Sequence, residues 1–226
     1  MLRRLAWGLA LLGYCGLAGA QGPTRWVEGT NYFRVQPEQP TSTPGKIEVL
    51  DVFSYACPAC NSFQPTLDEL KATLPANAQM AYLPAAFNPG EDWPVFQRAF
   101  LAAQSLGVVE KTHDAMYDAV WRDGSLAITD KATHRLLPRA RQPTIEDVAK
   151  FYARYGIKQE AFLAAANSFS IESQMKRCDS QIQTYQVDGT PTLIVNGRYR
   201  VTPESAGGYR QTIDLVLYMV GREKPR

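Results

Sequence analysis

Hydrophobic residues in the first half of the chain form strand-like runs around a helix-like repeat. Residues 46–53 are mostly β-branched or apolar, which predicts a central strand covered on both faces. Residues 79–83 form a second strand candidate. Between the two runs, apolar side chains recur at steps of three and four, as on one face of a helix, at Phe63, Leu67, Leu70 and Leu74. The pattern predicts a strand–helix–strand unit with a right-handed crossover.

The middle of the chain, from residue 88 to residue 178, shows helical spacing alone. One helix is expected between Pro94 and Gly107, and Thr144 stands three residues before Asp147, as in a helix capping box. The apolar faces of the expected helices carry several aromatic residues. We expect these in the core: Phe96, Phe100, Tyr117, Trp121, Phe151 and Tyr155.

Strand patterning returns near the C-terminus. Residues 191–195 and 198–201 flank the pair Asn196-Gly197, which favours a two-residue hairpin turn. A last amphipathic repeat follows and predicts a closing helix.

Together these patterns predict an α/β fold in which a βαβ…ββα domain is interrupted by an all-α insertion. We expect a discontinuous domain of residues 21–87 and 179–226, with the helical insertion at residues 88–178. The chain has 226 residues, which is enough for a well-buried core without covalent cross-links.

The first 20 residues have the pattern of a cleaved secretory signal peptide. Arg3 and Arg4 precede an apolar stretch, and small residues follow up to Ala20. The bulky Tyr14 directly before Cys15 fits lipid attachment poorly. Cleavage after residue 20 would remove two basic residues and no acidic one, and would leave 22 of each. We expect a soluble, neutral protein in an oxidising compartment such as the bacterial periplasm.

Composition excludes two classes of protein. A formal net charge of +2 gives no basic footprint for nucleic acid, and four cysteines are too few for a disulfide scaffold. Cys178 lies on the apolar face of an expected helix and is predicted to be buried and unreactive. The isolated histidines, His113 and His134, are predicted to be surface or capping residues without a role.

The segment Cys57-Pro58-Ala59-Cys60 carries the most informative chemistry. It directly follows the central strand and opens the first helix, with Pro58 in the first turn, where proline is tolerated. A cysteine at a helix N-terminus is acidic, because unpaired backbone N–H groups and the helix dipole favour the thiolate. Since the thiolate is the attacking species in disulfide exchange, we expect a redox pair.

Two other interpretations of this pair remain open from the residues alone. A zinc site would need two further ligands, and neither the histidines nor Cys178 stands at a suitable spacing. An inert disulfide would close so small a loop that its stabilising effect would be slight.

The motifs at residues 53–60, 187–191 and 195–199, together with the helical insertion, resemble the DsbA family of periplasmic thiol:disulfide oxidoreductases. The resemblance implies a thioredoxin-like fold with Cys57 as nucleophile, Cys60 as resolving thiol and a cis-proline loop at Thr190-Pro191. It also implies a monomer that uses the Cys57–Cys60 disulfide and no cofactor or metal. Its partners would be unfolded exported proteins with reduced cysteines and a membrane reoxidase of the DsbB type.

Three residues refine this expectation. Asp51 interrupts the central strand six positions before Cys57, so its carboxyl is expected beneath the redox pair, where it would accept the Cys60 proton. The alternative is a carboxyl that is satisfied at the edge of the strand and has no part in the reaction. At Ala59 the family often has histidine, so we expect a less acidic Cys57 and a weaker oxidant. At Thr190 the family often has valine, and the hydroxyl is in position to bond to the Cys57 sulfur.

Alternatives to the oxidase remain. A reductase or isomerase would use the same fold, but the roughly 25 residues ahead of Lys46 leave no room for the dimerisation domain that isomerases of this group carry. A non-catalytic peptide-binding chaperone would use the surface around Pro191, but it would not need the cysteine pair.

Overall fold

The computed structural model describes residues 26–226, so the predicted signal peptide lies outside the described residues. The strands form one five-stranded mixed sheet in the order β1-β5-β4-β2-β3. Only β2 and β3 pair in parallel, and the other neighbours are antiparallel. The strands are β1 (Phe33–Arg34), β2 (Ile47–Phe53), β3 (Ala78–Pro84), β4 (Thr192–Val195) and β5 (Tyr199–Val201).

Five α-helices, α2 to α6, intervene between β3 and β4, as the helical spacing predicted. Helix α6 runs without a break across residue 178, and the proposed division into two domains stays a prediction. The helices are α1 (Pro58–Thr73), α2 (Trp93–Ser105), α3 (Val109–Trp121), α4 (Ile145–Ala153), α5 (Gln159–Ala166), α6 (Phe169–Thr184), α7 (Pro203–Ala206) and α8 (Tyr209–Val220). Within residues 26–226, no helix is long and apolar enough to cross a membrane.

Strand β2 is an interior strand, between β4 and β3, and all seven of its residues are buried. Because successive side chains point to opposite faces of a sheet, Ile47 and Val49 join the hydrophobic cluster that includes residues of α1 and α8. Leu50 and Val52 join the other cluster, formed with the intervening helices. Asp51 lies two residues after Val49, so its side chain points to the same face of the sheet as Ile47 and Val49, which is the α1 side.

The turn between β4 and β5 confirms the hairpin prediction. Asn196 and Gly197 have φ of 53° and 67°, the left-handed values that a type I′ turn requires. The buried Asn196 side chain also donates to Glu223 Oε2 at 2.7 Å and to the Lys224 carbonyl at 3.1 Å, and so holds the C-terminal segment against the turn.

The capping box at the start of α4 is also confirmed. Thr144 Oγ1 accepts a hydrogen bond from the Asp147 N–H, and Asp147 Oδ2 accepts one from the Thr144 N–H at 3.0 Å. Helix α4 ends at Ala153, two residues before Tyr155, which was expected on its apolar face. Tyr155 therefore lies beyond the helix and is partly exposed, whereas Phe96, Phe100, Tyr117 and Phe151 are buried as expected.

Candidate active site

The cysteine pair lies where β2 gives way to α1. Cys57 is the N-cap residue of the helix, with φ of −88° and ψ of 116°, and Pro58 occupies the first helical position. The Cys57 Sγ accepts a hydrogen bond from the Cys60 backbone N–H at 3.3 Å. The sulfur thus takes the place of the oxygen that usually caps a helix, and it receives an N–H that would otherwise lack a partner.

The two thiols differ in acidity although both are buried. Cys57 is 5% exposed and Cys60 is 1% exposed. The pKa of Cys57 is lowered to about 6, chiefly by a hydrogen bond from the Cys60 thiol and further by Thr190 and the backbone N–H groups of Cys60 and Ala59, against the opposing effect of burial. Burial raises the pKa of Cys60 well above its usual range, and the neighbouring Cys57 adds to this. Cys57 is therefore the thiol that ionises first.

Asp51 lies beside this pair in a site that excludes water. It is 0% exposed, and neither carboxyl oxygen has a hydrogen-bond partner among the described residues. Burial raises its pKa to about 8, and the charge of Cys57 contributes in the same direction. Asp51 in turn raises the pKa of Cys60. A pKa in this range favours the protonated carboxyl at neutral pH.

The loop before β4 is in direct contact with Cys57. The Thr190–Pro191 peptide bond is cis, and the Cys57 thiol donates to the Thr190 carbonyl oxygen at 3.4 Å. The Thr190 hydroxyl oxygen is buried and makes no hydrogen bond of good geometry. Thr190 nevertheless helps to lower the pKa of Cys57. The hydrogen bond between Thr190 and Cys57 therefore involves the Thr190 backbone carbonyl and not the hydroxyl considered in the sequence analysis.

Comparison with known proteins assigns this arrangement to a family. A family model described as a DSBA-like thioredoxin domain matches residues 48–211, a span that contains both active-site cysteines and the Thr190-Pro191 loop. The chain belongs to the DsbA-like thioredoxin family. It is therefore a protein thiol:disulfide oxidoreductase, and its thioredoxin-like fold with inserted helices agrees with the sequence prediction.

Individual DsbA proteins are similar over most of their length. The thiol:disulfide interchange protein DsbA of Pseudomonas aeruginosa is 36% identical over 216 residues, which cover 95% of this chain and 94% of that protein. A crystal structure of DsbA from Xylella fastidiosa has a TM-score of 0.75 at 31% identity, covering 87% of this chain and 96% of that one. A Proteus mirabilis DsbA with a non-covalently bound peptide shares the fold, with a TM-score of 0.67 at 20% identity, covering 87% of this chain and 98% of that one.

In this DsbA-like protein, α3 holds the segment that precedes the nucleophile. The Tyr55 hydroxyl and His113 Nδ1 share a hydrogen bond of 2.8 Å, and Trp121 Nε1 donates to the Tyr55 carbonyl at 2.8 Å. Burial lowers the pKa of His113 to about 3, helped by the nearby Lys71 charge, so the imidazole is neutral.

The prediction that His113 is a surface or capping residue is therefore wrong. His113 is buried, and its place four residues before Tyr117 puts it on the inner face of α3, so helical periodicity could have identified it. The sequence did not single out Tyr117 as a site residue either. Its hydroxyl is buried and has no hydrogen-bond partner among residues 26–226. Burial raises the pKa of Tyr117 well above its usual range, and the nearby Cys60 and Asp51 add to this effect.

The remaining cysteine lies apart from the redox pair. Cys178 is buried on α6, as predicted, and burial raises its pKa to about 12, with Asp179 adding to the effect. Within the described part of the chain, no group of three or more histidine, cysteine, aspartate or glutamate side chains could hold a metal ion. Of the three cysteines in the described part of the chain, Cys57 is thus the one whose pKa is lowered.

Proposed function

We propose that this oxidoreductase introduces disulfide bonds into newly exported proteins in the bacterial periplasm through the Cys57–Cys60 disulfide. The observation that carries the proposal is the opposite shift of the two cysteine pKa values, to about 6 for Cys57 and well above the usual range for Cys60. A stabilised Cys57 thiolate favours the reduced form of the pair, so the disulfide accepts electrons readily.

In the first step, a client thiolate attacks the Cys57 sulfur of the disulfide. The Cys57–Cys60 bond breaks, a client–Cys57 mixed disulfide forms, and Cys60 leaves as a thiolate. Because its pKa is raised by burial, this thiolate takes up a proton, and the protonated Asp51 carboxyl beside it is the donor.

In the second step, another client thiolate attacks the client sulfur of the mixed disulfide. The client gains its disulfide bond, and Cys57 leaves as a thiolate, which is stabilised by the Cys60 backbone N–H and the other groups that lower the pKa of Cys57. Two electrons have passed from the client to the cysteine pair. Reoxidation by a membrane partner of the DsbB type reverses the roles: Asp51 accepts the Cys60 proton, and Cys60 attacks the mixed disulfide at Cys57.

Client peptides would lie along the Thr190-Pro191 loop. This loop is in direct contact with the nucleophile, since the Thr190 carbonyl accepts a hydrogen bond from the Cys57 thiol. An extended peptide pairs with exposed backbone groups, so its sequence matters little. The DsbA of Proteus mirabilis, which shares the fold, was solved with a non-covalently bound peptide, and this supports peptide binding by this chain.

Export and the domain arrangement belong to the same proposal. The basic, apolar and small-residue pattern of residues 1–20 supports cleavage of a signal peptide and delivery to an oxidising compartment. We place the redox chemistry in a discontinuous domain of residues 21–87 and 179–226, with residues 88–178 as the helical insertion, and we expect a monomer.

The test mixes the oxidised protein with a reduced peptide that contains two cysteines, and separately mixes the reduced protein with insulin. We expect rapid, stoichiometric peptide oxidation and slow insulin reduction. The matched control is the Cys57→Ser/Cys60→Ser variant, which should do neither. Faster insulin reduction than peptide oxidation would identify a reductase, and the absence of both activities in the wild type would leave only a chaperone.

A further inference from the structure

A large cavity lies away from the redox pair, where the N-termini of three helices meet. It has a volume of about 720 Å³, within the range of pockets that bind ligands. The residues that line it include the first turns of α2, α4 and α6 and the segment around Arg139, but neither cysteine of the active site nor the Thr190-Pro191 loop.

The floor of the cavity holds a carboxylate that is incompletely paired. Asp92 is buried, and one of its oxygens bonds to Arg139 Nη1. Its other oxygen, Oδ2, is buried and has no hydrogen-bond partner among the described residues. Thr144 and Ser168 cap their own helices, whereas the Asp92 side chain makes no capping bond to α2. A buried carboxylate oxygen without a donor is costly, so this atom favours a ligand that brings an N–H group.

A second charged group in the cavity has donors to spare. Arg98 donates to the Ala166 carbonyl at 2.8 Å and to Glu172 Oε2 at 2.7 Å, while a guanidinium carries five N–H donors. The cavity is therefore bordered by a residue with a buried, unpaired acceptor, Asp92, and by Arg98, whose N–H groups outnumber these two bonds.

The rim of the cavity carries the most exposed large apolar side chain of the described residues. Phe169, the first residue of α6, is 86% exposed, whereas the next, Val27, is 53% exposed. Pro94, Val95 and Ile145 line the cavity with it. An aromatic ring in this position offers apolar area that a ligand's side chain would cover.

The charges decide which ligand fits. A free anion would meet Asp92, Glu146 and Glu172, and a metal cation would meet Arg98 and Arg139. A peptide group is neutral and has both an N–H donor and a carbonyl acceptor, which matches the floor, while an apolar side chain matches the rim. We propose that this cavity is a second peptide-binding site, which holds an aromatic or aliphatic segment of an unfolded client apart from the cysteines that react.

The inference is tested by binding of a probe without cysteine, so the outcome does not depend on the redox function. The probe is a short fluorescein-labelled peptide of glycine, serine and phenylalanine, titrated against the full chain by fluorescence anisotropy. We expect Phe169→Ser to weaken binding at least about fivefold, because it removes the apolar contact. Asp92→Asn, which keeps the side-chain shape but removes the charge, should weaken it about threefold or more. Val27→Ser, on an exposed apolar residue outside the cavity, should leave the Kd unchanged.

Amide chemical shifts of the wild-type protein locate the bound probe independently of any substitution. We expect the largest shifts in residues 92–98, 139–146 and 167–172. The inference is overturned if the wild type does not bind the probe, if Phe169→Ser binds it as well as the wild type, or if the shifts centre on residues 57–60 and 190–191. It is also overturned if sedimentation shows a wild-type dimer that Phe169→Ser converts to a monomer, because the occupant is then a second copy of the chain.

Discussion

Cys57 and Asp51 are both withdrawn from water, yet their surroundings favour opposite charge states. Cys57 Sγ accepts a hydrogen bond from the Cys60 backbone N–H, and the Cys60 thiol, Thr190 and the Ala59 backbone also lower its pKa, so that burial does not keep the thiol neutral. Asp51 has no hydrogen-bond donor among the described residues, so burial dominates and favours the neutral acid. The supply of hydrogen-bond donors, more than burial itself, therefore decides which of the two groups is charged, as their proposed roles of nucleophile and proton carrier require.

Replacement of Asp51 should stabilise the reduced protein in a pH-dependent way. The pKa of Asp51 is raised from 3.8 to about 8 in the folded state, so the unfolded chain ionises first as the pH rises. The free energy of unfolding therefore falls between these two pH values. Asp51→Asn removes this loss. In urea unfolding of the reduced protein, we expect the variant to exceed the wild type by about 2–5 kcal/mol at pH 8 and to match it near pH 3. Asp188→Asn, at an exposed carboxyl, is the control. Equal stabilities at pH 8 would contradict the buried, protonated state of Asp51.

The same variant tests the proton transfer itself. Without the carboxyl, the Cys60 thiol has no nearby base, and we expect Asp51→Asn to slow resolution of the mixed disulfide about tenfold or more in stopped-flow measurements at neutral pH. The Asp188→Asn control should resolve it at the wild-type rate. Unchanged kinetics in Asp51→Asn would remove Asp51 from the mechanism.

A histidine at position 59 should make the nucleophile more acidic. Ala59 is exposed and acts on Cys57 only through its backbone N–H. Ala59→His adds a side chain that can place a positive charge or a hydrogen bond beside the thiolate, and we expect the pKa of Cys57 to fall from about 6 to about 5. Thiolate absorbance during a pH titration measures the change, with Ala59→Leu as the control of similar bulk. A pKa that is equal or higher in Ala59→His contradicts this account of the position.

At the scale of elements, the turn between β4 and β5 requires glycine for two separate reasons. Gly197 has φ of 67°, and a Cβ there would collide with the backbone carbonyl of Gln39. We expect Gly197→Ala to lower the free energy of unfolding by about 2 kcal/mol or more, in chemical denaturation. Gly207→Ala is the matched control: it also has positive φ, but its Cβ would lie in open space. Similar losses in the two variants would show that the contact with Gln39 contributes nothing.

The elements that the sequence predicts well are those with a local cause. The apolar run of β2, the spacing of α1, the Asn196-Gly197 turn and the Thr144 cap each depend on neighbouring residues, and each is present in the structure. The short α7 was not predicted, because so few residues show no helical period.

The residues of the candidate site also divide into those that local spacing predicts and those that depend on tertiary packing. Spacing along the chain was enough to predict that Cys57, Cys60 and Asp51 lie together, since all three belong to one strand–helix unit, and their roles stay predictions. The contacts of Tyr55 with His113 and Trp121 join segments that are 58 and 66 residues apart, and such pairings follow only from tertiary packing. The exposed ring of Phe169 was missed because it begins a helix whose apolar face lies elsewhere.

At the scale of the whole molecule, the inserted helices both cover and support the redox pair. The cluster that contains Cys57 and Cys60 also contains core residues of α2 and α3, so the active site belongs to the main hydrophobic core. Cys178 is buried in the same cluster, and burial raises its pKa, whereas the pKa of Cys57 is lowered. A chain with equal numbers of acidic and basic residues after residue 20 has no strong field to repel clients of either charge.

The equilibrium of the Cys57–Cys60 pair with a glutathione buffer tests the central claim most directly. If the stabilised thiolate makes the pair an oxidant, its reduction potential at pH 7 will be less negative than about −200 mV, and the dithiol form will predominate in a buffer that leaves structural disulfides intact. The fraction of reduced protein can be followed by alkylation of the thiols at each ratio of reduced to oxidised glutathione. A potential near −270 mV, typical of a reducing thioredoxin, would contradict the assignment as an oxidase.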